Sequence, residues 1–355
     1  MKALIAMSGG VDSSVAALLT KEQGYDCIGC TMKLYENEDA GVARSKTCCS
    51  LDDTEDARSV AYRLGMPFYA FNYRDAFYRQ VICPFAADYE QGRTPNPCIE
   101  CNRHLKFGAL LQRADELGCE KIVTGHYARI ERDPDGRYVL KKGIDPSKDQ
   151  SYVLHCLTQE QLARILFPLG EMTKTEARKI AADHGFLNAD KPDSQDICFV
   201  PDGDYAKIVA QHGSGQGTEP GDFVDVNGKA IGRHRGIIHY TIGQRKGLGN
   251  TWGRPVFVVA IDPEANTVTL GDSADLFRRE VTVSEFNWIA GEAPAGPIRC
   301  TAKLRYRQAE QAAEASVSAD GRVTLLFDEP QRAPTPGQYA VLYDGDAVLG
   351  GGRIE

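Results

Sequence analysis

The sequence has no long hydrophobic run and no excess of positive charge. Its apolar runs are short, such as that from Pro255 to Ile261, whereas a membrane-spanning helix needs about 20 apolar residues. The apolar stretch after Lys2 ends at Ser8, which is too short for a signal peptide. Lys and Arg number 41 against 49 Asp and Glu, so the net charge is -8. We therefore expect a cytoplasmic protein with no membrane segment and no basic surface coat, although a local basic patch is compatible with this balance.

A disulfide framework is also not expected. The chain has 11 cysteines, an odd number, and no sign of export to an oxidising compartment. Some of these cysteines should therefore have metal-binding, redox or nucleophilic roles, with buried thiols for the rest. Glycine and proline are near their average frequencies, which excludes collagen-like and disordered chains. The 355 residues, 42% hydrophobic and 25% charged, indicate a globular protein of two or three domains.

The order of predicted elements indicates an α/β fold followed by β-rich domains. Short apolar runs alternate with helical patterns over the first part of the chain, as in strand Lys2–Met7 and helix Asp12–Gln23. This order is typical of a doubly wound parallel sheet. Later, turn dipeptides crowd together and alternating runs such as Val323–Phe327 predict antiparallel strands. We expect a catalytic domain at 1–203, a small middle domain at 204–275 and a β-barrel-like domain at 276–355.

A glycine loop lies between the first predicted strand and the first predicted helix. It reads Ser8-Gly9-Gly10-Val11-Asp12-Ser13-Ser14, and we call it the phosphate loop. Its glycines let backbone N–H groups approach a phosphate, and the helix N-terminus favours negative charge. The loop has neither the Gly-Lys-Ser/Thr of a Walker A loop nor the Gly-x-Gly-x-x-Gly of a dinucleotide site. Because a carboxylate repels phosphate, we expect Asp12 to hold Mg²⁺, with a glycine turn capped by Asp12 as the alternative.

Three cysteines stand apart from the others. Cys98 and Cys101 lie in a proline-stiffened loop before a helix that we expect to begin near Asn102, and Cys198 lies in a polar loop. A thiol at a helix N-terminus beside Arg and Lys has a lowered pKa, so we expect Cys101 to be the most reactive cysteine. The three suit either a set of sulfur-handling thiols or three ligands of an iron–sulfur cluster, whereas a structural zinc needs a fourth ligand.

Two further cysteine pairs have simpler interpretations. Cys27 and Cys30 are three apart in a predicted strand, so their side chains point to opposite faces and packing is favoured over chelation. Cys48 and Cys49 are adjacent in an acidic stretch, and their role is open.

Positive charge is concentrated in two segments. Residues 226–261 contain six Lys and Arg and no Asp or Glu, with Tyr240 and Trp252 interleaved. A second cluster contains Lys303, Arg305, Tyr306 and Arg307. Two such clusters on an acidic protein favour an anionic polymer as partner, although each alone could be a solvated face.

Several motifs together resemble those of the tRNA-specific 2-thiouridylases, and the phosphate loop alone resembles that of the wider ATP pyrophosphatase superfamily. The resemblance extends over the whole chain. Its motifs are Ser8–Ser14, Pro95–Asn102, Thr124–Tyr127, Lys148–Ser151, Ser194–Phe199, Thr241–Gly247, Arg305–Arg307 and Gly337–Tyr339.

The resemblance implies ATP-dependent replacement of oxygen by sulfur at C2 of the wobble uridine of tRNA, on an adenine nucleotide hydrolase-like fold. It implies ATP binding, with Mg²⁺ on Asp12, by Ala6, Met7, Ser8, Gly9, Gly10, Val11, Asp12, Ser13, Met32 and Gly125. It implies a persulfide on Cys198, a nucleophile at Cys101 and a disulfide between them. The flipped target base is expected at Asn96, Pro97 and Cys98, and the anticodon stem-loop at His126, Lys148, Asp149, Gln150, Arg305, Tyr306 and Gln338. The sulfur donor is expected to be a sulfur-relay protein or a cysteine desulfurase.

One departure from the family pattern leaves a second mechanism open. Some relatives carry Asp at the position of Cys98, with an acid–base role, and here only the neighbouring Glu100 could substitute. The Cys-x-x-Cys form also matches thiolases that hold a 4Fe-4S cluster, which makes Cys98, Cys101 and Cys198 alternative cluster ligands. His126 could instead cap a strand end or act in acid–base chemistry. An amide-forming synthetase of the same superfamily and a non-catalytic RNA-binding protein are the rival functions.

Overall fold

The computed structural model describes residues 1–35, 51–192, 197–249 and 252–355, with only the backbone of Leu51 and Asp52. The expectations for Cys48 and Cys49, and residues 194–196 of the Ser194–Phe199 motif, lie outside the described residues. No helix within the described ranges is long and apolar enough to cross a membrane.

A five-stranded parallel sheet forms the centre of the first domain, in the order β3-β2-β1-β4-β7. Its strands are β1 Lys2–Ala6, β2 Asp26–Lys33, β3 Phe68–Asn72, β4 Lys121–Val123 and β7 Ile165–Leu166. Strand order reverses beside β1, so the phosphate loop after β1 lies where doubly wound sheets bind nucleotides. The predicted fold class is confirmed.

Helices cover both faces of this sheet. The described helices are α1 Val11–Glu22, α2 Leu51–Arg63, α3 Arg74–Phe77, α4 Cys83–Glu90, α5 Pro97–Glu100, α6 Leu110–Glu116, α7 Gln159–Arg164, α8 Lys174–Asp183 and α9 Tyr205–His212. Of these, α1, α2 and α8 pack on one face of the sheet and α6 packs on the other. Two π-helices, Tyr78–Ile82 and Cys101–Ala109, join α3 to α4 and α5 to α6. Cys27 packs into the core on one face of the sheet and Cys30 into that on the other, which confirms their predicted packing roles.

The middle domain is a four-stranded sheet in the order β10-β11-β8-β9. Its strands are β8 Gly221–Val224, β9 Ala230–His234, β10 Phe257–Asp262 and β11 Thr267–Gly271. β10 and β11 pair antiparallel, as expected, whereas β8 and β11 run parallel. The long connection through residues 235–256 gives the chain room to cross over between the strands, as a parallel pair requires.

The last domain is a closed antiparallel barrel. Its strands are β12 Phe277–Trp288, β13 Ile298–Lys303, β14 Gln311–Val317, β15 Val323–Arg332, β16 Tyr339–Asp344 and β17 Ala347–Ile354. They pair in the order β12-β15-β14-β13-β16-β17, and β17 pairs back with β12. A hairpin from the first domain, β5 Ala128–Arg132 and β6 Tyr138–Lys142, extends the same sheet beside β17.

Candidate functional site

Residues far from the phosphate loop in the sequence hold it in place, and no sequence motif identified them. Gly9 has φ +76°, and a Cβ there would lie 2.3 Å from the carbonyl oxygen of Asp53. The side-chain amide of Asn188 donates to the Gly9 carbonyl and to Ser14 Oγ, each at 2.9 Å. The Ser8 N–H donates to Ser13 Oγ at 3.1 Å, and Ser8 is exposed. Only glycine fits at position 9, because both the space and the backbone conformation exclude a side chain.

Asp12 is paired with a lysine. Lys174 Nζ, which lies at the start of α8, donates to both carboxylate oxygens of Asp12 at 2.7 Å, and the Tyr127 hydroxyl donates to one of them at 2.8 Å. Lys174 is 8% exposed. The expected Mg²⁺ role does not fit this arrangement, because an ammonium group already neutralises the carboxylate that would bind the metal. Lys174, which sequence reasoning missed, therefore brings a positive charge to the phosphate loop, and Lys191 Nζ lies 3.5 Å from the Gly9 carbonyl oxygen of the same loop.

The other residues expected at the nucleotide surround the loop. Gly125, just after β4, packs on the loop backbone, since a Cβ there would lie 2.8 Å from Ser13 N. Met7 is buried at the end of β1, and Met32 packs at the carboxyl end of β2. The carboxyl ends of three adjacent parallel strands thus meet at one edge of the sheet, as nucleotide binding in such folds requires.

The helix that carries Cys98 and Cys101 begins earlier than predicted. It starts at Pro97, with Asn96 as the residue before it, and continues as a π-helix from Cys101. Cys98 is exposed in the first turn, whereas Cys101 is 8% exposed one turn further on. Proline is favoured at a first helical position, which explains the early start.

The expected lowered pKa of Cys101 is therefore wrong. Burial raises the pKa of the Cys101 thiol to about 11, against a smaller lowering by Lys106. We expected Cys101 to lie in the first turn of a helix and to be open to solvent. Cys98 occupies that environment in the structure.

The start of barrel strand β16 holds the loop before this helix. Gln338 Nε2 donates to the carbonyls of Thr94 and Pro95 at 2.8 and 3.2 Å, and the Thr94 N–H donates to Pro336 O at 2.8 Å. The Tyr339 hydroxyl donates to Glu100. Gln338 is expected to contact tRNA, and in the structure its Nε2 group also holds this loop.

The Glu100 carboxylate contacts three side chains. Its carboxylate accepts from Tyr339 and lies 3.4 Å from Arg103 and 3.1 Å from His104. The expected substitution of Glu100 for an acid–base carboxylate therefore does not fit this geometry.

Cys198 and Cys101 pack against the same apolar cluster. The cluster includes Phe77 and Phe199, and the Tyr35 hydroxyl donates to the backbone carbonyl of Cys198 at 2.6 Å. Nowhere in the described part of the chain do three His, Cys, Asp or Glu side chains come together as a metal site. The iron–sulfur alternative for Cys98, Cys101 and Cys198 stays a prediction.

Residues 148–150 connect Tyr127, a partner of the phosphate loop, to Tyr306. The Tyr127 N–H donates to Gln150 Oε1 at 3.0 Å, on the same tyrosine whose hydroxyl reaches Asp12. The Tyr306 hydroxyl donates to the Asp149 carbonyl at 3.1 Å. Burial, Asp149 and Cys98 raise the pKa of Tyr306. Hydrogen bonds thus join the phosphate loop, residues 148–150 and Tyr306.

Two side chains in these motifs have structural contacts of their own. The Asp149 carboxylate accepts from the N–H groups of Gly143 and Ser151, each at 3.1 Å, which are contacts of a loop-forming residue. His126 is 7% exposed between Phe107 and Phe167, and burial lowers its pKa well below the usual range. Its Nδ1 lies 2.7 Å from Thr124 Oγ1, just after β4. This contact favours the alternative in which His126 caps the end of a strand, rather than tRNA contact or acid–base chemistry.

The basic segment 226–261 is partly neutralised. Arg233 pairs with Asp222 at 2.9 Å and Arg254 pairs with Asp272. Both acids lie outside the segment, so sequence composition could not reveal these pairs. Arg245 and Lys246 have no ion pair among the described residues and remain candidates for phosphate contact.

Comparison with known proteins places this chain among sulfur-transfer enzymes of tRNA. It is 50% identical over 355 residues to the tRNA-specific 2-thiouridylase MnmA of Clostridioides difficile, covering 100% of this chain and 98% of that protein. The chain belongs to the tRNA-specific 2-thiouridylase family. The family member of Moorella thermoacetica is 52% identical over 354 residues, covering 99% of each chain.

Three family models also match in succession. They are described as a tRNA methyl transferase HUP domain over residues 1–202, a tRNA methyl transferase PRC-barrel domain over 209–272 and an aminomethyltransferase beta-barrel domain over 278–354. Among solved structures, a 4-thiouridine synthetase in complex with RNA and ATP matches with TM-score 0.37 and 20% identity, covering 59% of this chain and 50% of that one. That likeness is too low to support an inference about this chain.

Proposed function

We propose that this chain is an ATP-dependent enzyme that replaces the C2 oxygen of the wobble uridine in tRNA with sulfur. The observation that carries the proposal is the series of hydrogen bonds from Asp12 of the phosphate loop through Tyr127 and residues 148–150 to Tyr306. These contacts connect the expected ATP site to a residue of the expected tRNA-binding set, and the base to be adenylated must lie beside ATP. Family membership over the whole chain supports the same reaction.

ATP binds at the phosphate loop in this proposal. Loop N–H groups, the serine hydroxyls and Lys174 face the phosphates, and Gly125 gives the nucleotide room beside the loop. The anticodon loop presents the uridine extruded from its stack, at Asn96 to Cys98, because C2 is inaccessible in a stacked base. We also propose domain boundaries at 203/204 and 275/276. In this proposal the middle domain and the barrel bind the tRNA.

Sulfur transfer proceeds in four balanced steps. The Cys198 thiolate takes the outer sulfur of a donor persulfide, and the donor leaves as a thiolate. The uridine C2 oxygen attacks the α-phosphorus of ATP, and pyrophosphate leaves. The outer sulfur of the Cys198 persulfide adds to C2, and AMP leaves with the former C2 oxygen. Cys101 then attacks the inner sulfur, which frees 2-thiouridine and forms a Cys101–Cys198 disulfide that a thiol reductant reopens with two electrons.

The test separates adenylation from sulfur transfer. Purified protein is incubated with unmodified tRNA, ATP and a persulfide donor, while pyrophosphate release and 2-thiouridine are measured. We expect Cys198→Ser to release pyrophosphate without forming 2-thiouridine, and the half-buried Cys83→Ser control to do both. Full thiolation by Cys198→Ser would contradict the persulfide role. Pyrophosphate release that needs ammonia rather than tRNA would favour an amide-forming synthetase, and tRNA binding without pyrophosphate release a non-catalytic protein.

A further inference from the structure

The residue that follows Cys101 is a buried asparagine. Asn102 is 1% exposed and lies at the start of the π-helix Cys101–Ala109. Its side-chain Nδ2 donates to the backbone carbonyl of Val153 at 2.9 Å. Cys98 is four residues before it, so both cysteines lie within about one helical turn of this anchored side chain. The contact with Val153 therefore bears on the position of both thiols.

Val153 is the last member of a series of hydrogen bonds that begins at the phosphate loop. The Tyr127 hydroxyl donates to Asp12 at 2.8 Å, and the Tyr127 N–H donates to Gln150 Oε1 at 3.0 Å. The Gln150 N–H donates back to the Tyr127 carbonyl at 2.9 Å, and the Val153 N–H donates to the Gln150 carbonyl at 3.1 Å. All four distances are those of ordinary hydrogen bonds. With the amide of Asn102, the series joins the phosphate loop to the cysteine-bearing helix.

The short helix that contains Val153 is held by contacts of its own. It is the 3-10 helix Ser151–Leu154, whose three other residues are buried. The Tyr152 hydroxyl donates to the carbonyl of Tyr339 in the barrel at 2.8 Å. Asn287 Nδ2, also in the barrel, donates to two carbonyls just after this helix at 2.6 and 3.0 Å. The Val153 carbonyl is therefore a fixed point against which Asn102 holds the cysteine-bearing helix.

Stability alone does not explain an asparagine at position 102. Asparagine is a weak helix former, and the Asn102 Oδ1 atom is buried without a donor among the described residues. A buried acceptor without a donor costs stability, whereas an apolar residue of similar shape has no such cost. Polar groups that are kept at a cost are expected at functional sites, where the position of a group matters more than stability.

We propose that Asn102 is a positioning residue for the sulfur-transfer step. Its amide sets the cysteine-bearing helix relative to the phosphate loop, so that the Cys101 thiol reaches the inner sulfur beside the uridine activated there. The inference rests on the proposed function, which supplies the adenylated uridine and the Cys198 persulfide. Asn102 touches no reacting atom and acts through Cys101. A small displacement of a reacting group slows a transfer strongly, whereas adenylation does not require this thiol.

The test is a single turnover with labelled tRNA, ATP and protein that carries a persulfide on Cys198, without a thiol reductant. We expect Asn102→Leu to release pyrophosphate at the wild-type rate but to free 2-thiouridine on the order of tenfold more slowly. The tRNA should then remain joined to Cys198 through a disulfide, because Cys101 does not attack the inner sulfur. A denaturing gel without reductant detects this adduct, and a thiol that reduces the disulfide should release tRNA containing 2-thiouridine.

Asn287→Leu is the matched control. It removes an amide that also donates to backbone carbonyls beside the same short helix but lies outside the cysteine-bearing helix. Both rates should stay at the wild-type value in this variant, and no adduct should accumulate. A thermal unfolding scan checks that each variant is folded at the assay temperature, and Asn102→Ala gives a second replacement that removes the amide.

The outcomes separate this role from the proposed function. If the wild type forms 2-thiouridine and a folded Asn102 variant frees it at the same rate without an adduct, the positioning role is wrong and the proposed function stands. Parallel loss of pyrophosphate release and 2-thiouridine in that variant would indicate a general structural role and would also overturn the inference. If the wild type forms no 2-thiouridine, the proposed function fails and the positioning role with it.

Discussion

Tyr339, at the start of a barrel strand, donates its hydroxyl hydrogen to Glu100, the residue just before Cys101. The barrel and the cysteine-bearing helix are therefore joined at the point where the helix changes from α to π geometry. Through this contact the barrel helps to position Cys98 and Cys101, in addition to any surface that it offers to RNA.

Tyr339→Phe should loosen this helix without disturbing the nucleotide edge. We expect about 1 kcal/mol of lost stability, from one missing hydrogen bond to a charged group, and several-fold slower 2-thiouridine formation. ATP affinity should be unchanged, because the phosphate loop makes no contact with Tyr339 in the described structure. Denaturant unfolding and ATP binding measure these effects, with the exposed Tyr62→Phe as control. Equal loss of ATP affinity would contradict a local role.

Cys98 should react with an alkylating reagent at neutral pH faster than Cys101. Cys98 is exposed, whereas Cys101 is buried and its pKa is raised to about 11, so Cys101 carries almost no thiolate near pH 7. Peptide mapping after brief alkylation measures the order. Binding of tRNA should accelerate labelling of Cys101 if the helix opens for chemistry, and a reversed order in the unliganded protein would contradict the described burial.

Stability should fall at alkaline pH. Burial raises the pKa values of Cys101, Cys156 and Cys300 to about 11 from a usual 9.0. A thiol with a raised folded pKa favours the folded state below the unfolded value and loses that contribution as pH rises from about 9 toward 11. Urea unfolding at a series of pH values measures the decline. Cys300→Ala should make it shallower, and an unchanged pH profile in that variant would exclude a contribution from Cys300.

Gly9→Ala should destabilise the protein more than Gly24→Ala. Both glycines have positive φ, +76° and +82°, but a Cβ meets the Asp53 carbonyl at 2.3 Å in the first case and nothing within 4 Å in the second. We expect about 1 kcal/mol for the shared backbone strain and about 1–3 kcal/mol more at position 9 from the clash. Denaturant midpoints give the comparison. Equal losses would show that the loop shifts to accept the methyl group.

Lys174→Gln should slow pyrophosphate release on the order of a hundredfold, because it removes a cation from the phosphate loop and leaves Asp12 without this partner. Lys179→Gln, on the exposed face of the same helix, is the matched control. Affinity for tRNA should stay within a few-fold in both variants. Undiminished release by Lys174→Gln would remove this lysine from phosphate handling.

The sequence predicted local features well and long-range partners poorly. The prediction that Cys27 and Cys30 point to opposite faces of a strand depends only on residues three positions apart, and it is confirmed. The partners of Asp12 lie 115 and 162 residues away, so no local pattern could reveal them. Burial of Cys101 depends on tertiary packing in the same way.

The hairpin β5–β6 has a consequence for synthesis of the chain. Its neighbour in the sheet, β17, emerges from the ribosome only after the five other barrel strands, because it follows them along the chain. Until then the hairpin has an unpaired edge, which is a template for wrong pairing with other strands. Completion of the first domain during translation is therefore delayed until the far end of the chain arrives, and a chaperone that shields this edge would have a long interval in which to act.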